Sequence, residues 1–413
     1  MLAFGFYASN AQVYIEKQTR HRFAQLHLGA DMQTSVGGET RFLENDNSIN
    51  SLRLNSIIKP RFTIGGTHFW GHADFYIAIP LFNPAIEKNN QSIVFNSGVE
   101  TVFKYYPWRI RHHKLRPFVG FSIAPYYFEQ SNQNLEFGNG PELNHTSFPA
   151  LAGFTFNHKS HLLEVAATWN YQNKQDYWIS PALRAEITTP PLFLSLAYRF
   201  MIETTISAEK DWESGRTKEV TERLAQAGEL NNFYVAAGMS SAFWLNKGSY
   251  NKQHHQFVET YSTSVMPEFG IGYYWHKPDM NFNFSYRGYK SGTNSYGLMQ
   301  SAQRQSLGFE ITKYLFDFHG FDPFVGPVLS AEKLRFKESF EDDLTQDFME
   351  DKLAVGITFG WDIRPNRIQT YLLRTNLRWY PSLGVDVENR GKVSFSNIEF
   401  NFIQLVVYPG RII

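Results

Sequence analysis

Twelve charged residues fall where an alternating chain turns them away from its apolar face: Lys59, Arg61, Lys104, Arg199, Arg287, Arg374 and Arg378, with Asp74, Glu100, Glu164, Glu268 and Glu310. Both signs are represented. Inside a wide barrel such groups line an aqueous pore and bias the ions that pass, whereas inside a narrow one they pair and fill it. The densest basic row is Arg374-Thr-Asn-Leu-Arg378, which reads as salt-bridged wall. Histidines are the other reactive groups. His68 and His72 flank Phe69-Trp70-Gly71 at a tight hairpin, and the pairs His112-His113 and His254-His255 lie in loops. Neutral imidazole binds zinc or copper, but neighbours on a strand point apart and no carboxylate cluster stands at a fixed spacing. No metal site and no cofactor are expected.

Catalysis finds little support. Ser160-His161 and Asn144-His145-Thr146 are ordinary juxtapositions, and the chain carries no Gly-x-Ser-x-Gly, His-Glu-x-x-His or phosphate loop. With Cys 0, disulfides, thiolate metal sites and a cysteine nucleophile are excluded. Net charge +0 gives no electrostatic reason to expect nucleic acid.

The elements that position these charges are strands. In Asp279-Met-Asn-Phe-Asn-Phe-Ser-Tyr-Arg287, Met280, Phe282, Phe284 and Tyr286 face one way and Asn281, Asn283, Ser285 and Arg287 the other. One face suits lipid and the other water, so arginine is expected to be tolerated at Ser285 and not at Phe284. The chain is 16% aromatic with 22 Tyr, 37 Phe and 9 Trp, yet its mean hydropathy is only −0.36, as alternation conceals hydrophobicity. No run approaches the roughly 20 apolar residues of a membrane helix. Trp70, Trp108, Trp169, Trp178, Trp244, Trp275, Trp361 and Trp379 fall near expected strand ends, where amphipathic rings meet lipid headgroups.

Strands are expected near residues 22–33, 56–69, 71–81, 94–106, 115–129, 148–158, 160–171 and 190–202. A second set is expected near 232–245, 264–275, 279–290, 305–316, 321–336, 352–362, 367–380 and 396–409. The two sets resemble each other. Leu28-Gly-Ala-Asp-Met32 parallels Val235-Ala-Ala-Gly-Met239, and Pro60-Arg-Phe-Thr-Ile-Gly65 parallels Pro267-Glu-Phe-Gly-Ile-Gly272. Pro117-Phe-Val-Gly120 returns as Pro323-Phe-Val-Gly326, Gly153-Phe-Thr-Phe156 as Gly356-Ile-Thr-Phe359, and Trp169 and Tyr198 as Trp379 and Tyr408. Collinear matches point to duplication of an eight-stranded unit. The halves are residues 12–203 and 231–413; between them residues 204–230 read as a water-exposed linker with a short helix stopping at Gly228. Residues 1–11 read as the apolar end of a signal peptide with a small-residue cleavage site at Ser9-Asn-Ala11, although a basic n-region is missing.

Each half, and above all Leu115-Arg-Pro-Phe-Val-Gly120 followed by Ser122-Ile-Ala-Pro-Tyr-Tyr127, resembles the small outer-membrane barrel domains of Bacteroidota, in which a Pro-Tyr/Phe-Val-Gly strand start is common. Ala11 followed by Gln12 is similar to the export signals of that group. The run Leu192-Phe-Leu-Ser-Leu-Ala-Tyr-Arg-Phe200 ends on an aromatic, like a terminal barrel strand of such families, while residues after Tyr408 depart from that pattern. The expected fold is a transmembrane antiparallel β-barrel of about sixteen strands; the alternative is two tandem eight-stranded barrels. An even strand count on each side puts both termini and the linker in the periplasm of a Gram-negative envelope.

Function divides between a noncatalytic accessory or scaffold subunit of an envelope assembly and a porin-like passive pore for small polar solutes. A barrel enzyme ranks third. The balanced interior charges favour the scaffold. The partners expected are outer-membrane lipid and other envelope proteins, which the polar segments 129–146 and 338–351 are long enough to meet.

Overall fold

In the strand His161–Trp169, Leu163, Val165 and Trp169 are exposed while Leu162, Glu164 and Ala166 are buried, and in Tyr371–Trp379 the inward row is Leu372, Arg374, Asn376 and Arg378. This period of two recurs around two closed walls in the computed structural model, which describes residues 24–110, 113–203, 216–261, 266–318, 320–363 and 370–411. The expected signal segment, His112 and residues 204–215 lie outside the described residues.

Among the described residues sixteen wall strands are present, but they close as two rings of eight rather than as one. The first ring runs Gln25–Val36, Ile58–His68, Ala73–Pro80, Glu100–Tyr105, Leu115–Asn132, Ala150–His158, His161–Trp169 and Leu192–Glu203. Its last strand returns antiparallel to its first, with Leu28 opposite Phe200 and Val36 opposite Leu192. The second runs Asn232–Trp244, Met266–Trp275, Met280–Ser295, Leu298–Tyr314, Phe321–Phe340, Asp343–Ile363, Tyr371–Trp379 and Asn397–Val407, and closes where Asn397–Val407 pairs Asn232–Trp244. The single large barrel is thus replaced by the tandem arrangement. Each of the repeated motifs falls on the same numbered strand of its ring, apart from Tyr408, which directly follows the last one.

Connections at the end of each ring nearest the interconnecting segment are short, such as the turn Phe69–Gly71. Helix Arg216–Gln226 leads into the second ring from this linker end and stops in a Schellman motif. Gly228 sits at φ 75, donating to Ala225 O at 3.1 Å, and Glu229 donates to Leu224 O at 2.9 Å.

Connections at the opposite, far end are long in the first ring, whereas the second ring has two long ones and two tight turns, Ser295 to Leu298 and Phe340 to Asp343, at the tips of extended hairpins. In the first ring Lys174–Ser180, Leu183–Thr188, Glu39–Leu43 and Ile49–Arg53 form a four-stranded sheet. It faces the far part of Leu115–Asn132 and its neighbours Gln91–Ser97 and Leu143–Ser147 across a core of Phe42, Leu52, Ile93, Phe128, Tyr177 and Ile187. This small sandwich lies over the ring: the inward-facing Lys59 donates to Phe95 O and sits 4.4 Å above the Phe95 ring. In the second ring the far-end chain folds inward, and Leu383, Val385, Val393 and Phe395 pack on the inward residues Trp244, Tyr289, Leu334 and Phe336. Trp178 and Trp244 are accordingly not belt residues, since one lies on a cap strand and the other in this plug. Residues 338–351 are not a loop either. They form the tip of the hairpin Phe321–Phe340/Asp343–Ile363, turned by Glu341 and Asp342 at φ 50 and 72, as a two-residue turn of opposite hand requires.

Two exposed aromatic belts remain. Trp169, Tyr171 and Trp379 mark the far side, and Tyr105, Trp108, Trp275 and Tyr371 the linker side. Between Tyr371 and Trp379 eight steps of roughly 3.3 Å, tilted by about 40°, rise about 20 Å, close to the ~25 Å apolar band of such barrels. These are transmembrane β-barrels of the outer-membrane type.

The rings stand wall to wall. Phe400 and Phe402 project outward from the second ring yet are only 2% and 6% exposed, because Ile77, Ile79 and Val99 of the first ring cover them. Phe75 meets Trp361 at 5.6 Å between ring centroids. At the far end Asn144 and Thr260 exchange hydrogen bonds of 3.3 and 3.0 Å, and the Tyr296 hydroxyl donates to Trp178 O at 2.8 Å.

Phe284 is 51% exposed on the wall whereas Ser285 is 1% exposed and accepts from Arg287 Nη1 at 2.8 Å. The interior offers Ser285 no aqueous space, so the tolerance expected of it from alternation does not hold. Phe284→Arg is expected to cost about 2–4 kcal/mol at mid-bilayer. Ser285→Arg should cost at least as much through overpacking and an unpaired charge. Urea unfolding in lipid vesicles measures both; a mild Ser285→Arg would contradict a filled ring.

Candidate functional site: the ion-paired ring interiors

All twelve charged residues singled out from the sequence project into ring interiors, and each is at most 4% exposed. An eight-stranded ring has an interior just wide enough for side chains to fill. The charges therefore lie against one another rather than against a channel.

In the first ring Arg61 clamps Asp31 in bidentate fashion at 2.7 and 2.8 Å and reaches Glu100 at 2.5 Å. Glu164 receives both Lys104, at 2.6 Å, and Arg199, at 2.8 Å. Asp74 is held by His27 at 2.8 Å, with Arg199 and Lys104 at 3.8 and 4.0 Å. The cations also lie over rings: Arg199 is 4.0 Å and Lys104 4.3 Å from the Tyr76 centroid. Lys59 lies under the cap, donating to Phe95 O.

The second ring repeats the principle with other residues. Arg378 binds Glu268 through two nitrogens at 2.6 and 2.8 Å and Glu310 through its Nε at 2.5 Å. Asn401 and Gln404 donate to the same Glu268 at 2.8 and 3.2 Å, which satisfies its remaining lone pairs. Arg287 and Arg304 share Glu399 at 2.8 and 2.6 Å, and Arg304 also grips Glu332 at 2.7 Å. Arg374 pairs with Asp362 at 2.8 Å. Above and below the ionic layer the ring is filled by the far-end plug and, toward the linker, by Tyr234, Tyr274, Tyr314, Phe324 and Tyr408.

Sequence reading missed His27, Asp31, Arg304, Glu332, Asp362 and Glu399. The signal was available, because Arg304 and Glu332 continue the inward rows of their strands at period two. Only Arg304 falls outside the expected strands, one residue before 305–316; the other five lie within them.

His254 and His255 lie at and after helix Ser249–His254, where His255 meets Glu338 at 3.2 Å. His113 lies 3.2 Å from His158, Nδ1 to Nδ1. His72 contacts Tyr106 O at 2.8 Å. No group of three metal-ligating side chains occurs among the described residues.

No family model matches the chain, and no curated protein matches it. Neisserial surface protein A is similar at 16% identity over 43% of this chain and 96% of that one, with a TM-score of 0.30. The transport unit of the autotransporter AIDA-I from Escherichia coli is similar at 7% identity over 95% and 91%, with a TM-score of 0.22. OmpT, an outer membrane protein of Vibrio cholerae, is similar at 8% identity over 92% and 97%, with a TM-score of 0.17. At these scores the fold assignment rests on the closed rings themselves.

Outside the membrane, burial displaces the titration of Glu142 and His145 of the cap in opposite directions. Burial, reinforced by Glu129 and opposed by a hydrogen bond from Asn144, raises Glu142 to about 7, while burial lowers His145 to about 4. A carboxyl raised on folding adds stability below its unfolded value and loses it as pH rises through the folded one; a histidine lowered on folding acts in the opposite sense. Their effects oppose each other between about pH 4.5 and 6.5. Glu142→Gln isolates the first. Relative to the parent, this variant should gain protection of the Leu143–Ser147 amides against hydrogen exchange as pH rises from 4.5 through 7, with no difference below 4.5. A pH-independent difference would show that Glu142 is ionised throughout.

Proposed function

We propose that the chain is a bacterial outer-membrane protein acting as a noncatalytic accessory or scaffold subunit of a larger envelope assembly. The observation that supports this reading is the filling of both rings by cross-strand ion pairs, with folded chain over or inside each far mouth. A pore needs a continuous aqueous path, and carboxylate-bound guanidinium groups obstruct one. A fused pair of filled barrels presents instead a broad wall, a far-end cap and a linker helix. A polar groove of about 450 Å³ between the cap and the second ring, lined by His145, Asp176, Arg184, Glu186 and Glu259, is a place where another envelope protein would engage.

The collinear motifs on equivalent strands favour origin by duplication of an eight-stranded unit, in the Bacteroidota lineage whose small barrels the strand starts resemble. In this reading residues 1–11 belong to an export signal. Short linker-end turns, and far ends built from long connections and hairpins extended past the apolar band, favour termini and helix Arg216–Gln226 in the periplasm. Single cysteines at Glu222 and at Asn134 test this: a membrane-impermeant maleimide applied to intact cells should label the Asn134 position and spare Glu222. Labelling of Glu222 would invert the orientation.

The scaffold reading predicts that mild detergent extraction recovers stoichiometric partner proteins and that the purified chain gives no steady conductance in planar bilayers. Large steady conductance from a partner-free preparation, with selectivity altered by Arg374→Glu or Arg378→Glu, would establish the passive pore instead.

A further inference from the structure

Where the two walls diverge toward the linker end they leave a crevice of about 120 Å³, bounded by Ile64, Phe75 and Ile77 of the first ring and Trp361, Leu373 and Ile403 of the second. On the same measure one water needs only about 10–15 Å³, so this space is large enough for several waters. Its walls are mostly carbon, however, and buried water needs two to four polar partners. Leaving it empty would forfeit dispersion contacts along two facing walls. Two polar atoms without a hydrogen-bond partner line it, Thr101 Oγ1 and His68 Nδ1. His68, 6% exposed, projects outward from the first ring at the linker-side rim, its ring 4.7 Å from that of Phe75, and its Nδ1 has no hydrogen-bond partner. Tyr371, 47% exposed, also lines the crevice, which places its mouth at the lipid-facing surface on the linker side.

An apolar slot opening onto lipid at headgroup level, with an unpaired imidazole nitrogen at its rim, has the layout of an esterified hydrocarbon chain. We propose that the crevice seats one acyl chain of a glycerophospholipid between the rings, with His68 hydrogen-bonding the ester region. The neutral imidazole has one donating and one accepting nitrogen, so Nδ1 as donor meets an ester carbonyl. The chain completes the wall-to-wall packing over the linker-side leaflet, while Phe400 and Phe402 already seal the interface nearer the far end. Gly66 keeps the slot open: a Cβ there would come 3.0 Å from Gln25 O and 3.4 Å from His68 Nε2.

The test is native mass spectrometry of the full chain, delipidated in detergent and then incubated with phosphatidylethanolamine. One lipid per chain should survive activation that strips the rest. Gly66→Leu should lower the retained fraction at least tenfold and His68→Leu several-fold, with Leu163→Ala, on a part of the wall outside the crevice, unchanged. Ile403→Trp fills the slot from the second ring and repeats the test should Gly66→Leu not fold, which heat-modifiable gel mobility reports. Retention of detergent alone, no retained lipid in the parent chain, or full retention in a folded slot-filling variant would overturn the proposal.

Discussion

No backbone N–H or C=O can be left unpaired in hydrocarbon, where each stranded group costs several kcal/mol, and every other feature of this molecule follows from how that demand is met. Alternation supplies strands but not a closing partner. Leu192–Glu203 could in principle hand its free edge to Asn232–Trp244 and propagate one large wall. It returns instead to Gln25–Val36 over twelve paired positions, and Asn232–Trp244 pairs Asn397–Val407. Two closures therefore leave no edge in lipid.

Closure at eight strands fixes what the interior can be. There is no room for bulk water, so every inward charge needs a protein partner, and losing one partner of such a pair costs about 3–5 kcal/mol. The pairing acts as a register code. Arg61 on the second strand demands Asp31 on the first and Glu100 on the fourth, whereas the equivalent position of the second ring carries Glu268, which demands Arg378 on the seventh. Signs at this repeated position are opposite, so a strand inserted into the wrong ring would bury unmatched charge. This is a physical reason for two separate rings in a chain whose halves each close at eight strands.

The wall was legible in the sequence because period two is imposed twice, by lipid outside and by packing inside. Met280 to Arg287 shows both faces without a slip, and the repeated Pro-Phe-Val-Gly starts fall on equivalent strands. Ring size was less legible: inward charges such as Arg199 and Glu164 look the same whether they line water or each other. The aromatic close at Phe200 was the local hint of a ring ending there. The cap strands escaped notice since runs such as Glu39–Leu43 are too short for a pattern, and Thr40 and Phe42 are buried by partners distant in sequence. Glu338 to Asp351 looked like a loop because, beyond the bilayer, neither face of that hairpin must be apolar.

Joining two barrels side by side raises its own energetic question, as lipid tails are as apolar as the walls and the hydrophobic effect supplies little attraction between them. Cohesion must come from shape and from polar contacts outside the hydrocarbon. Phe400 and Phe402 against Ile77 and Ile79 provide close packing, and the Asn144–Thr260 and Tyr296–Trp178 hydrogen bonds tie the far ends where donors and acceptors are affordable. The connecting chain then makes association intramolecular, so these modest contacts suffice. Convex walls cannot touch along their whole height, and the gap left on the linker side must be occupied by whatever the membrane offers there. A pair of filled barrels is thus a lipid-embedded body whose shape is set by the ion pairs within it.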